Sequence, residues 1–204
     1  MGGITQVVVE AIQHTSLWEV LAVFSGIVYL LLAMRENNLC WYFAFFQTGI
    51  YTLLFWQVSL LMDSALNVYY MAMAVYGWWF WRRGGRSHTA ASIRRWTLAY
   101  HGIAVLAIAI VSISSGYLLA LYTEAAWPYV DSFTTWASVL TTWMVAQKIL
   151  ENWLYWLVID SVSIALYVDR GLYFTALLFF IYVIIAIFGF VQWLNRYRER
   201  YGTQ

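Results

Sequence analysis

The chain has 204 residues, of which 63% are hydrophobic, 20% aromatic and only 10% charged, with a formal net charge of +1. Soluble domains carry about 25% charged residues, so this composition excludes one and points to an integral membrane protein; the near-neutral balance also argues against a nucleic-acid surface. A single cysteine, Cys40, excludes an internal disulfide and a cysteine metal cage, and His14, His88 and His101 are too far apart in sequence to support a zinc or haem site.

Residues 1–15 set Ile4, Val7, Val8, Ala11 and Ile12 on one helical stripe without Lys or Arg, which predicts a short helix lying on the membrane rather than a cleaved signal peptide. Membrane spans are predicted from about Leu17 to Met34, Leu39 to Ser59 and Ser64 to Trp81, the last two joined so tightly around Asp63 that they must be antiparallel neighbours. A basic loop follows, and then a fourth span from about Trp96 to Leu121. Pro128 is read as a loop residue. The fifth span, about Phe133 to Ala146, is rich in Thr, Ser and Trp and is expected to face other helices more than lipid. The sixth starts near Glu151 and the seventh runs from Leu172 to about Leu194.

Basic residues alternate along this plan. The loop after the third span holds Arg82, Arg83, Arg86, Arg94 and Arg95, the C-terminal tail holds Arg196, Arg198 and Arg200, and the loop after the fourth span holds none. By the positive-inside rule the C-terminus is cytoplasmic and the N-terminus outside.

The two ends of the chain repeat each other. Tyr70, Tyr76, Gly77 and Trp81 are matched in spacing by Tyr182, Phe188, Gly189 and Trp193. Gln47 is expected to stand where Asp160 stands, with one residue of difference in the connecting turn. The repeat is parallel and leaves the fourth span as a linker. The expected fold is therefore an all-α integral membrane protein of seven transmembrane helices in a 3+1+3 parallel repeat. Residues 1–204 make one transmembrane domain, with a first three-helix bundle at 17–83, a linker helix at 94–122 and a second bundle at 132–196. Two similar halves facing each other make a central path with polar residues at mid-depth.

The sixth span carries the most informative residues. Trp153, Trp156, Asp160, Ser163 and Tyr167 fall on one helical face, two indoles beside a carboxylate. With Glu151 at the membrane surface, Asp160 lies roughly 14 Å further in, near the middle of a core about 30 Å thick. A carboxylate there is costly, needs a reason, and is by default a functional hypothesis. Three readings stay open: a structural tie between helices, a proton relay, and a site for a flat cation, in which indoles stack and the carboxylate complements charge or accepts ribose hydroxyls. Gln47 and Asn67 are hydrogen-bonding groups inside the second and third spans, available as interhelical glue or as ligand contacts. A membrane enzyme has no support, because no nucleophile has a base at usable spacing.

The segment ENWLYWLVIDSVSIALYVDRGLYFTALLF, with Trp153, Trp156 and Asp160 in the pattern Trp, two residues, Trp, three residues, Asn or Asp, resembles the motif-bearing sixth helix of the Pnu vitamin transporters. The run VYGWWFW from Val75 to Trp81 is similar to that family's third-helix ending. The resemblance implies a fold like that of a full-length SWEET sugar transporter, often a homotrimer, in a bacterial inner membrane, moving a vitamin without direct energy coupling or a cofactor. One branch of the family takes nicotinamide riboside, which a cytoplasmic kinase phosphorylates and so traps; a sister branch takes thiamine. Two positions depart from the riboside pattern: Asn67 stands where glutamine is frequent, and Asp160 takes the acidic option. Both vitamins are cations with an aromatic ring. The expected substrate contacts are Trp153, Trp156, Asp160, Gln47, Asn67, Tyr70, Tyr182 and Ser163, with nicotinamide riboside favoured over thiamine and over a proton-coupled vitamin carrier.

Overall fold

The computed structural model describes residues 17–57, 61–83, 92–123 and 127–202. Among these residues seven helices follow one another: α1 (Leu17–Met34), α2 (Cys40–Gln57), α3 (Leu61–Arg83), α4 (Leu98–Tyr122), α5 (Pro128–Ala146), α6 (Asn152–Asp169) and α7 (Tyr173–Tyr201). A lipid core offers no water to backbone groups, so long apolar runs resolve into helices that satisfy their own hydrogen bonds. The expected surface helix at residues 1–15 falls outside the described residues, as do Arg86 and His88 of the basic loop. Pro128 is not a loop residue. It opens α5, where its missing N–H leaves no bond unmade, so this helix begins earlier than Phe133.

The helices close into a ring. Helix α1 packs on α2, α2 on α3, α3 on α5, α5 on α6, α6 on α7 and α7 back on α1, whereas α4 lies outside the ring, packed mainly on α5 and touching α6 through His101, whose ring stacks on Tyr155. The contacts joining the halves, α3 with α5 and α7 with α1, are one contact repeated by pseudo-symmetry. This is the 3+1+3 arrangement.

The turns after α1 and α5 match bond for bond. Asn37 N donates to Leu32 O at 2.9 Å as Ile149 N does to Met144 O at 3.0 Å, and Cys40 N donates to Asn37 O at 3.0 Å as Asn152 N does to Ile149 O at 3.1 Å. Glu36 and Lys148, 112 residues apart, take φ of 55° and 53° at the same point of each turn. The same separation relates Trp41 seated on Gly77 to Trp153 seated on Gly189. No residue is therefore gained or lost between the second and third spans. The counterpart of Asp160 is Thr48, and Gln47 is its neighbour. The expected pairing followed the more conspicuous amide, while the register is set by the turn and by the tryptophans.

Among the described residues, three helices are long and apolar enough to cross a membrane by length and hydropathy, at Leu17–Met34, Leu98–Tyr122 and Thr175–Tyr201. The other four carry more polar side chains because they contribute most of the polar wall of the space inside the ring.

Candidate functional site

A cavity of about 580 Å³ runs along the ring axis, a size suited to a vitamin-sized molecule. All eight residues singled out from the sequence border it: Gln47 on α2, Asn67 and Tyr70 on α3, Trp153, Trp156, Asp160 and Ser163 on α6, and Tyr182 on α7. Asp160 is 4% exposed and Ser163 5%, and neither side chain has a hydrogen-bond or ion-pair partner among the described residues. An uncompensated carboxylate in such surroundings favours a ligand that brings positive charge or hydrogen-bond donors. Gln47 is held by close packing, since a Cβ added to Gly26 would lie 2.8 Å from its Nε2.

The two motif indoles differ in setting. Trp153 is 1% exposed, wedged between Gly189, where an added Cβ would come within 2.7 Å of its ring, and Trp193, whose ring stands edge-on at 5.5 Å. Trp156 is half-buried and packs beside Ala137 and Ile159, leaving part of its ring to the cavity. Trp153 is thus floor and Trp156 is wall.

The floor is built symmetrically from both repeats. Trp41 meets Trp81 edge-on at 5.3 Å and 83°, as Trp153 meets Trp193 at 5.5 Å and 89°. Trp81 Nε1 donates across to Ala146 O at 3.0 Å, while Trp193 Nε1 donates back to Ala33 O at 3.2 Å and Met34 O at 3.1 Å. Each half therefore places an indole on the last carbonyls of the other half's first helix, groups that a helix leaves unsatisfied. Beneath them Lys148 pairs with Glu36 at 2.9 Å, Arg196 with Glu36 at 3.0 Å, and the Lys148 ammonium sits 4.5 Å from the Trp81 ring. Polar and aromatic layers together seal this end of the ring. At the other end Asp131 and Arg170 border the cavity, with Arg170 Nη2 donating to both carboxylate oxygens at 3.0 and 3.3 Å.

Sequence reasoning missed Trp41, Thr48 and a polar stripe on α5. Trp41 could have been found as the repeat partner of Trp153. On α5, Asp131, Thr134, Thr135, Ser138 and Thr142 share one face and all border the cavity. Among the described residues, no cluster of three His, Cys, Asp or Glu could hold a metal ion.

Two parallel repeats of membrane helices around an axial polar cavity, sealed at one end and reaching toward the other, define a membrane transporter. The residues that seal it are paired across the repeat, so the device belongs to the fold as a whole. The chain belongs to the nicotinamide mononucleotide transporter family, which matches residues 16–195. It is 24% identical over 207 residues to the nicotinamide riboside transporter PnuC of Escherichia coli (strain K12), covering 89% of this chain and 87% of that one. It is 25% identical over 190 residues to the riboflavin/roseoflavin transporter RibM of Streptomyces davaonensis, covering 92% and 89%. The crystal structure of the vitamin B3 transporter PnuC shares the fold, with a TM-score of 0.70 over 94% of this chain and 86% of that chain at 19% identity.

Proposed function

We propose that the protein mediates facilitated uptake of nicotinamide riboside across a bacterial inner membrane. The observation that carries this is Asp160, buried midway along α6 without a partner among the described residues, on the same helix face as Trp156 and bordering the axial cavity. A pyridinium ring stacks on an indole and is drawn to a nearby carboxylate. Gln47, Asn67, Tyr70, Ser163 and Tyr182 supply hydrogen bonds and shape around it, and Trp153 holds the floor. The ligands for which the two relatives are named, nicotinamide riboside and riboflavin, both join a flat nitrogen heterocycle to a ribose-derived group. Thiamine is a flat cation too but has a single hydroxyl.

A nucleoside suits this cavity better than its phosphate ester. The cation on its border, Arg170, is already held by Asp131, and the carboxylate of Asp160 lies deeper. The positive-inside rule sets the end bearing Glu36, Lys148 and Arg196 in the cytoplasm and the N-terminus outside. Substrate enters from outside, the two repeats rock about it, and a cytoplasmic kinase makes entry irreversible by phosphorylation. A homotrimer goes with this reading, and the mass of the detergent-solubilised particle checks it.

Counterflow in proteoliposomes tests the proposal. Vesicles loaded with unlabelled nicotinamide riboside should accumulate the labelled compound without an energy source and at a rate indifferent to an imposed pH gradient. Uptake driven by the gradient would establish a proton-coupled carrier instead.

A further inference from the structure

The hydroxyls of α5 divide into two sets. Thr134 donates to Val130 O and Asp131 O at 3.1 Å, Thr141 to Ala137 O at 2.7 Å and Thr142 to Ser138 O at 2.8 Å, the usual return of a membrane-helix hydroxyl to its own backbone. Thr135 and Ser138, one turn apart on the same helix, make no such bond and have no side-chain partner among the described residues, though both border the cavity. Ser138 is 9% exposed, so the cavity is what its hydroxyl meets.

Packing sets their depth. Ala137 clusters with Ile159 and Trp156, which brings Ser138 level with Asp160 across the α5–α6 contact. Tyr69 Oη donates to Val139 O at 2.9 Å and ties α3 to α5 at that height. On the α6 side Ser163 stands one turn beyond Asp160, equally buried and without a side-chain partner among the described residues. Three hydroxyls and one carboxylate thus border the cavity where α5 meets α6, on the same wall as Trp156.

We propose that this α5–α6 wall of the cavity is a subsite for a vicinal diol, with Thr135 and Ser138 as specificity-determining residues. The proposal rests on the riboside reading and deepens it. A carboxylate only accepts hydrogen bonds, so Asp160 takes both protons of the diol; the diol oxygens keep lone pairs, which Ser138, Thr135 and Ser163 fill as donors. The heterocycle then lies on Trp156. A ligand with a single hydroxyl leaves part of this set unpaired, and buried unpaired groups are what polar sites discriminate by.

Isothermal titration of the purified full-length protein with nicotinamide riboside and its 2′,3′-dideoxy analogue tests this, comparing the wild type with the Thr135→Val/Ser138→Ala double variant. The wild type should prefer the riboside, and in the double variant that preference should fall at least about tenfold, the effect of one lost hydrogen bond or more. Because the readout is a ratio of two ligands on one protein, a general weakening of the fold does not move it. An unchanged ratio, or a wild type that does not distinguish the two ligands, would overturn the subsite while leaving riboside transport standing. Failure of the wild type to bind the riboside at all would overturn the transport reading, and the subsite with it.

Discussion

Glu36 and Lys148 occupy the same position in the two repeats, 112 residues apart, and they bond to each other at 2.9 Å. Each sits at φ near 55° in the turn after its half's first helix, at 55° and 53°. Opposite charge at the two equivalent positions turns a symmetry-related contact, which in identical repeats would set like against like, into an ion pair on the pseudo-two-fold axis. The pair is largely buried, with side-chain exposures of 15% and 7%, so it locks the sealed end of the ring rather than decorating its surface.

Lys148→Met is therefore expected to lower the melting temperature in detergent. Breaking a buried pair typically costs about 3–5 kcal/mol, and the loss here should fall below that range because Arg196 still reaches Glu36 at 3.0 Å. A melting curve superimposable on the wild type would show that the seal does not depend on this pair.

The glycine seats should respond alike. An added side chain at Gly189 meets the Trp153 ring, and one at Gly77 meets the Trp41 ring. Gly189→Val and Gly77→Val are expected to destabilise by about 1–3 kcal/mol each through overpacking. Similar shifts in thermal unfolding would support the symmetry; a neutral Gly77→Val would mean that the first repeat's floor is loosely packed.

The two motif tryptophans should separate in their effects. Trp156→Ala is expected to weaken riboside binding by about ten- to a hundredfold, since stacking is worth about 1–3 kcal/mol per ring, while the melting temperature changes little. Trp153→Ala should instead lower stability by about 3–5 kcal/mol, the usual cost of emptying a buried Trp site. Calorimetry and thermal unfolding on both variants check the assignment, which fails if the two losses are interchanged.

Nicotinamide mononucleotide should bind at least about a hundredfold more weakly than the riboside, because juxtaposing like charges costs several kcal/mol and the carboxylate of Asp160 borders the cavity that the phosphate would have to share. Competition titration reads this. Equal affinity would require a free cation in the cavity.

Much of this architecture is legible in the chain. Hydropathy and Arg placement locate the helices, and the spacing from Tyr70 to Trp81 repeated from Tyr182 to Trp193 discloses the two halves. The polar lining was legible where a residue is rare in lipid or tied by helical face or repeat to one that stands out: Asp160 announces itself, as do Gln47 and Asn67, and Ser163 follows from the face of Asp160. Thr135 and Ser138 do not, because a membrane-helix hydroxyl ordinarily bonds to its own helix, and only the geometry separates these two from Thr134, Thr141 and Thr142. Thr48 was passed over for the same reason, its hydroxyl returning to Ala44 O at 2.8 Å. The edge-on floor of Trp41, Trp81, Trp153 and Trp193 was hidden among the 13 tryptophans of the chain until packing set four of them in pairs.

The central claim is that the buried carboxylate of Asp160 holds a vitamin cation inside the ring. Its most direct test is calorimetric titration of the purified wild type and of Asp160→Ala with nicotinamide riboside, with thiamine run alongside. Saturable riboside binding by the wild type, weaker binding of thiamine, and loss of riboside binding in a variant that still folds are the expected results. Undiminished riboside binding by Asp160→Ala would contradict the account.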